Sequence, residues 1–398
     1  MKRKNIWIGV ISLAVAVLAT AFVVASNGRP GRQLDALLGG ADAVAYAEPR
    51  LTVSRQAGPS QPRVPPGEAG IDPAGLAAAV EYAGARNTRA LLVGRGGHIV
   101  FEKYWGGTTA DTPVDASGFT PVLSALLVGV ALNERDITSL DMPVSKALTE
   151  WMSDPRGAIT LRQLLAGESG LASAAGRPWP GTRAARYQVG GDVQTTLLAW
   201  PLDPAQRLGE SPADVDADVL ALVLGRARKN QQSFDGLLVE YLWAPLGGGE
   251  FSVGFDDANS ASPRYVRAGC CLRARIGDWM RVGELLANDG VFEGSQLTPP
   301  RFVSLMLKPT HPESPIGFFT RVGGAFAARD VAWLEAAGKQ RLWVVPTLKL
   351  VILRVGEEPA ADKGWDETLI PDSIIRGTSG WQPTGVSEGI DPKKFAPH

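Results

Sequence analysis

The chain is expected to be an α+β protein: an antiparallel sheet flanked by helices, with a helical lobe inserted between the sheet's first and last strands. Three observations lead to that fold class. Two β-rich runs, Ala90 to Arg95 and His98 to Trp105, are separated by Gly96-Gly97, the composition of a tight hairpin turn. A second such pair, Arg341 to Val345 and Leu348 to Val355, lies near the other end of the chain around Pro346-Thr347. Between the two pairs, helical runs dominate. One sheet that takes its strands from both ends accounts for the order helix, strands, many helices, strands, helix.

Taken in order, the elements start with an address. Lys2, Arg3 and Lys4 precede an uncharged run from Ile6 to Ala25, which at ~1.5 Å per residue spans ~30 Å, the hydrocarbon thickness of a bilayer. Residues 1–26 are therefore read as a membrane anchor or signal peptide. The run is long for a signal peptide and Val24-Ala25-Ser26 is only a fair cleavage site, which favours an uncleaved anchor. Positive charge before the run keeps that end cytoplasmic, so the rest of the chain is expected in the periplasm or otherwise outside the cytoplasmic membrane. Residues 27–69, with breaker pairs Gly58-Pro59 and Pro65-Pro66, read as a Pro/Gly-rich linker.

The folded domain is expected over 70–376. Asp72-Pro73 has the cap and first-turn proline of a helix start, and Leu76, Val80 and Ala83 supply its apolar stripe. After the first hairpin, helices are expected at Val122 to Asn133, Leu161 to Ala166 behind Thr160, Val215 to Arg228, Leu237 to Trp243, and Ile276 to Asn288, stopped by Gly290. The second hairpin leads to a short helix near Asp372 to Arg376, and 377–398 form a tail.

Composition narrows the chemistry. Basic and acidic residues nearly balance, and outside the N-terminal cluster there is no basic stripe, so nucleic acid is not expected as a partner. Cys270 and Cys271 are the only cysteines. Adjacent, they exclude a disulfide framework and a Cys-based zinc site; they are read as two small buried apolar side chains, with a vicinal disulfide as the alternative. His98, His311 and His398 have no second ligand at metal spacing, and there is no Gly-x-Ser-x-Gly elbow to support a Ser-His-Asp triad. They read as solvent-exposed bystanders. Asp256-Asp257 reads as a loop cap. No metal or cofactor is expected.

Several segments carry a resemblance: Ala90 to Tyr104, Leu126 to Leu132 with Ser139 to Ser145, Pro155 to Leu171, Tyr241 to Gly247, Ile276 to Gly283, and Gln340 to Pro346. In content and order the chain resembles the β-lactamase-related serine hydrolases, which include class C β-lactamases, penicillin-binding-protein-like esterases and 6-aminohexanoate-dimer hydrolase-like proteins. The resemblance implies a β-lactamase/transpeptidase-like fold. It also implies a Ser-x-x-Lys pair at a helix start, in which the lysine helps deprotonate the serine, together with a Tyr-x-Asn motif and a Lys-Thr-Gly or His-x-Gly strand.

None of the three motifs is found. Counted back from Gly129, the nucleophile's place falls on Gly118 and the lysine's on Pro121. The tyrosine and asparagine places fall on Glu210 and Pro212, and the basic strand residue on Ala337. Gly118-Phe119-Thr120-Pro121 reads as a plain helix start, with Thr120 as cap. Substitute groups would be the hydroxyls of Ser117, Thr120 and Ser124, and Lys339, which strand alternation would aim to the same face as Ala337. No lysine lies between Lys103 and Lys146 to serve these hydroxyls locally.

The expectation is a catalytically inactive family member that binds a peptide, peptidoglycan fragment or acyl compound in a vestigial cleft. The alternatives are an active serine ester or amide hydrolase with rewired residues, and a structural envelope protein whose cleft is filled by side chains such as Phe119 and Trp200.

Overall fold

The computed structural model describes residues 15–23, 31, 34, 38, 49–174, 178–205, 213–227, 232–256, 265–312 and 314–383. Residues 15–23 are helical. Among the described residues no helix is long and apolar enough to cross a membrane, and the first fourteen residues of the expected anchor lie outside them.

The body begins with β1 (Arg50–Val53), α1 (Pro73–Gly84), β2 (Thr88–Arg95), β3 (His98–Tyr104), β4 (Pro113–Asp115) and α2 (Thr120–Asn133). The helical lobe continues with α3 (Leu161–Leu165), α4 (Arg183–Gln188), α5 (Val193–Leu198), α6 (Ala213–Ala227) and α7 (Phe234–Leu238). Then come β5 (Phe251–Asp256), β6 (Tyr265–Val266), β7 (Arg273–Arg275), α8 (Ile276–Ala287), the small hairpin β8 (Val291–Phe292) and β9 (Ser295–Gln296), and α9 (Pro300–Met306). The chain closes with β10 (Arg321–Val322), β11 (Ala332–Ala336), β12 (Gln340–Val345), β13 (Leu350–Gly356) and α10 (Leu369–Ile375).

The main sheet runs β10-β11-β12-β13-β2-β3, all neighbours antiparallel. The expected junction is there: β13 from the end of the chain pairs with β2 from its beginning, Leu353 opposite Leu92. Gly96 and Gly97 make the first hairpin turn, both at positive φ, which only a residue without Cβ adopts freely. Successive residues of β2 feed two cores. Leu91 and Val93 pack with α1 and α10 through Leu76, Ile370 and Ile374, while Ala90 and Leu92 join the larger core under α8 and the lobe. A strand buried on both faces reads as an apolar run rather than an alternation, as Ala90 to Val93 does.

A second sheet, β1-β5-β7-β4 with β6 also on β5, has strands of only two to six residues and gave no clear period in the sequence. It corrects the reading of 27–69 as a linker throughout. β1 pairs along β5, Gly58 N–H donates to Gly247 O at 2.8 Å, and Arg63 bridges to Ile99, so the segment from Arg50 onward belongs to the body. The first residues of the tail are also docked: Ser379 N–H donates to Gly70 O at 2.7 Å and Trp381 Nε1 to Ala327 O at 3.0 Å.

Two helix starts depart from expectation. Thr120 is not a cap. It is the first residue of α2 with helical angles, φ −56° and ψ −42°, because a 3-10 turn at Ser117–Phe119 leads directly into the helix. The helix expected from Leu237 begins at Phe234 and widens into a π-helical turn at Val239–Trp243. At α3, Thr160 does cap, and its reciprocal bonds with Gln163 form a capping box.

Candidate functional site

The main cleft opens where the turn before α2 meets β11 and the first turn of α6, and encloses a cavity of about 560 Å³. Gly118 and Pro121 both line it, so the two positions counted from Gly129 do fall in the cleft. Gly118 is accessible there, yet the direction a side chain would take is blocked: a Cβ at 118 would stand 2.1 Å from the carbonyl oxygen of Glu335 on β11. That approach is far inside van der Waals contact, and the obstacle is backbone. Glycine at 118 is therefore required by the close packing of this turn on β11.

Two of the neighbouring hydroxyls are committed elsewhere. Ser117 Oγ donates to the Asp115 carboxylate and accepts from Cys271 N–H at 3.2 Å. Thr120 Oγ1 accepts from Leu272 N–H at 3.4 Å and is fully buried. Ser124 is also fully buried and does not line the cleft. Lys339 is not on a strand: it sits at φ +54° in the turn between β11 and β12 and reaches Glu358 at 3.6 Å, so strand alternation does not apply to it. Ala337 is in the same turn, exposed, and the cleft wall at this level is formed by Trp333, Leu334 and Glu335 instead. Glu210 and Pro212 lie outside the described residues. So does His398. His98 is on the first hairpin, its Nδ1 3.0 Å from Gly96 O, and His311 Nε2 stands 3.5 Å from Glu168 Oε1.

Several cleft residues were not found by motif counting. Asp214, in the first turn of α6, lies two residues beyond Pro212, and Ser211-Pro212 before an acidic first turn is the helix-start signal that would have located it. Its carboxylate accepts the Val215 N–H at 3.0 Å. Burial, helped by the charge of Asp218, pushes its pKa up to about 6 against the opposing pull of the Val215 N–H and Arg267. Across the cleft, Arg321 Nε donates to Glu335 Oε1 at 2.8 Å, and the other carboxylate oxygen faces Arg341 at 3.8 Å. Phe319, Trp333 and Ile316 add apolar wall. Among the described residues no lysine lines this cavity.

Behind Asp214, the buried Asp218 carboxylate accepts from Ala268 N–H at 2.7 Å, Gly269 N–H at 2.9 Å and Tyr187 Oη–H at 2.7 Å, with Arg267 at 3.4 Å. These bonds pin the segment 267–269 to α6. A Cβ at Gly269 would lie 2.0 Å from Asp214 O, so that contact too needs glycine. The same segment continues into a vicinal disulfide, Cys270–Cys271, which corrects the reading of two separate apolar thiols. The turn carries Cys271 into the left-handed region, φ +71°, while Asp218 on one side and Ser117 on the other fix its ends.

Phe119 and Trp200 do not fill the cleft. Phe119 is fully buried edge-on to Trp279, ring centroids 5.4 Å apart, and Trp200 is buried with its Nε1 donating to Ala172 O at 2.7 Å. Asp256 caps the start of α5 by accepting the Val193 N–H.

The profile of the Beta-lactamase family matches residues 76–280, just over half of the chain. No curated protein sequence matches it. Among solved structures the chain is similar to a Bacillus anthracis protein assigned as a 6-aminohexanoate-dimer hydrolase, at TM-score 0.61 and 14% identity over 81% of this chain and 91% of that one. A family VIII carboxylesterase gives TM-score 0.58 and 17% identity over 77% and 99%. A penicillin-binding protein homologue from Caulobacter crescentus gives 0.55 and 16% over 76% and 96%. At these identities the structures speak for the fold, and the profile match for descent: the chain belongs to the Beta-lactamase family of serine hydrolase-like proteins.

Proposed function

We propose that this is a non-hydrolysing member of its family that binds a small acyl compound, peptide or peptidoglycan fragment in the cleft, and that residues 1–26 anchor it with the domain outside the cytoplasmic membrane. The observation that carries the reading is Gly118. An acyl-enzyme needs an oxygen nucleophile and a base within hydrogen-bond reach. At 118 there is neither a side chain nor room for one, since a Cβ would meet Glu335 O at 2.1 Å. Pro121 supplies no base, and the Ser117 and Thr120 hydroxyls accept from the backbone of 271–272. The cavity of about 560 Å³ nevertheless stays open, within the usual range for small-molecule sites of roughly 300–1,000 Å³. For the anchor, support comes from the charge and length of the N-terminal apolar run.

One observation favours the rival reading of a rewired hydrolase: the Ser117 hydroxyl donates to the Asp115 carboxylate, a hydroxyl with a base in contact. Purified full-length protein separates the two. The proposal expects nitrocefin and p-nitrophenyl butyrate to be hydrolysed at the buffer rate. Turnover that disappears in Ser117→Ala would establish the rewired hydrolase. For the anchor, the full chain should stay in the membrane pellet after an alkaline carbonate wash, and release by that wash would count against it.

A further inference from the structure

We propose that the cleft takes a ligand bearing a protonated amine on an apolar body, with the ammonium group seated at Asp214. This rests on the reading of the cleft as a binding site and adds the chemical class of its occupant. The charge inventory of the cavity is uneven. Arg321, the cation among its described lining residues, is paired through Nε with Glu335 at 2.8 Å. Asp214 has no ion-pair partner among the described residues; its carboxylate accepts the Val215 N–H at 3.0 Å. Arg267, the cation that acts on it, is held behind it by Asp218 at 3.4 Å and by Tyr187 O at 2.7 Å.

A carboxylate without a counter-charge, in a wall shared with Leu165, Ile316, Phe319 and Trp333, is poorly solvated, and a cation from the ligand relieves that cost. The aromatic rings add attraction for an ammonium group, and the aliphatic side chains accept the body that carries it. An anionic ligand would instead face Asp214 and Glu335, and among the described lining residues the one cation, Arg321, is already ion-paired with Glu335.

The test uses full-length protein and three probes of one shape: 2-phenylethylamine, 2-phenylethanol and 3-phenylpropionate, with affinities from calorimetry. The amine should bind at least about tenfold more tightly than the alcohol, the carboxylate should not bind, and Asp214→Asn should remove the amine's advantage. In the unmodified protein the advantage should also fade as pH drops through about 6, where Asp214 takes up a proton. The groups facing Asp214 are Asp216 and Asp218 on α6, Arg267, Tyr187 on α4, and the Arg321–Glu335 pair across the cavity; the measurement without any substitution guards against a variant that fails to fold. Equal binding of amine and alcohol, or an amine affinity unchanged in Asp214→Asn, overturns the ligand class and leaves the binding cleft standing. Failure of all three probes to bind overturns the proposal. Nitrocefin turnover in the same preparation bears on the non-hydrolysing reading alone.

Discussion

At Gly118 the close approach of Glu335 O leaves no room for a side chain, and the proposed loss of hydrolysis rests on that packing. Restoring the serine that the family's mechanism needs would drive a Cβ into the Glu335 carbonyl, and relief would require β11 or the 117–119 turn to move. Gly118→Ser should therefore lower stability by about 1–3 kcal/mol, the usual cost of overpacking a well-fitted site, and should not restore hydrolysis. Denaturant unfolding and a nitrocefin assay check the two halves; a variant as stable as the parent and active would refute the steric account. Counting from Gly129 was enough to place Gly118 and Pro121 in the cleft, because α2 is regular and a helix transmits register faithfully. It failed at Ala337 and Lys339, where the chain turns between β11 and β12 and a one-residue difference rotates a side chain out of the site.

At the scale of elements, the segment from Arg50 to Val64 straps the second sheet and α8 to the body. Arg281 on α8 donates to Pro59 O and, at 2.8 Å, to Leu246 O, and Gln61 Nε2 donates to Glu284. Glu284 is 2% exposed, and burial pushes its pKa up to about 7 although Arg281 and Gln61 pull the other way. A carboxyl raised above its unfolded value of 4.5 holds its proton more tightly in the native state. Its contribution to stability is thus fully present below pH 4.5 and lost as pH rises through about 7. Between pH 5 and pH 8 the unfolding free energy should fall by an amount on the order of 3 kcal/mol that is absent in Glu284→Gln. Parallel pH profiles for the two proteins would contradict this. Little of the strap was legible beforehand. Prolines and glycines mark a chain that is not helical, but whether it hangs free or docks depends on partners 189 and 202 residues away, Ala244 for Arg55 and Ser252 for Arg50.

For the whole molecule, the decisive link is between the ends. β2 and β13 lie side by side, and Arg354 on β13, fully buried, ties the neighbourhood together: it donates to Thr88 Oγ1 at 3.0 Å, to the carbonyls of Gly338 and Lys339 at 2.6 and 2.8 Å, and to Arg86 O at 2.5 Å. Arg354→Ala should cost about 3–5 kcal/mol, since it opens a cavity and leaves those carbonyls unpaired in the interior. A shift in the unfolding midpoint worth less than about 1 kcal/mol would argue against that role. This architecture was readable in advance because two hairpins and a helical middle admit few arrangements. The wall of the cleft was less so: Asp214, Trp333 and the Arg321–Glu335 pair come from segments with no shared motif, and only the packing of α6 against the sheet's β10–β11 end brings them to one cavity.

The central claim is that no acyl group can be captured at the turn before α2. Intact-protein mass spectrometry after prolonged exposure to benzylpenicillin and to a fluorophosphonate tests it most directly. The account predicts an unchanged mass with both reagents; a stoichiometric adduct mapped to Ser117, Thr120 or Ser124 would contradict it.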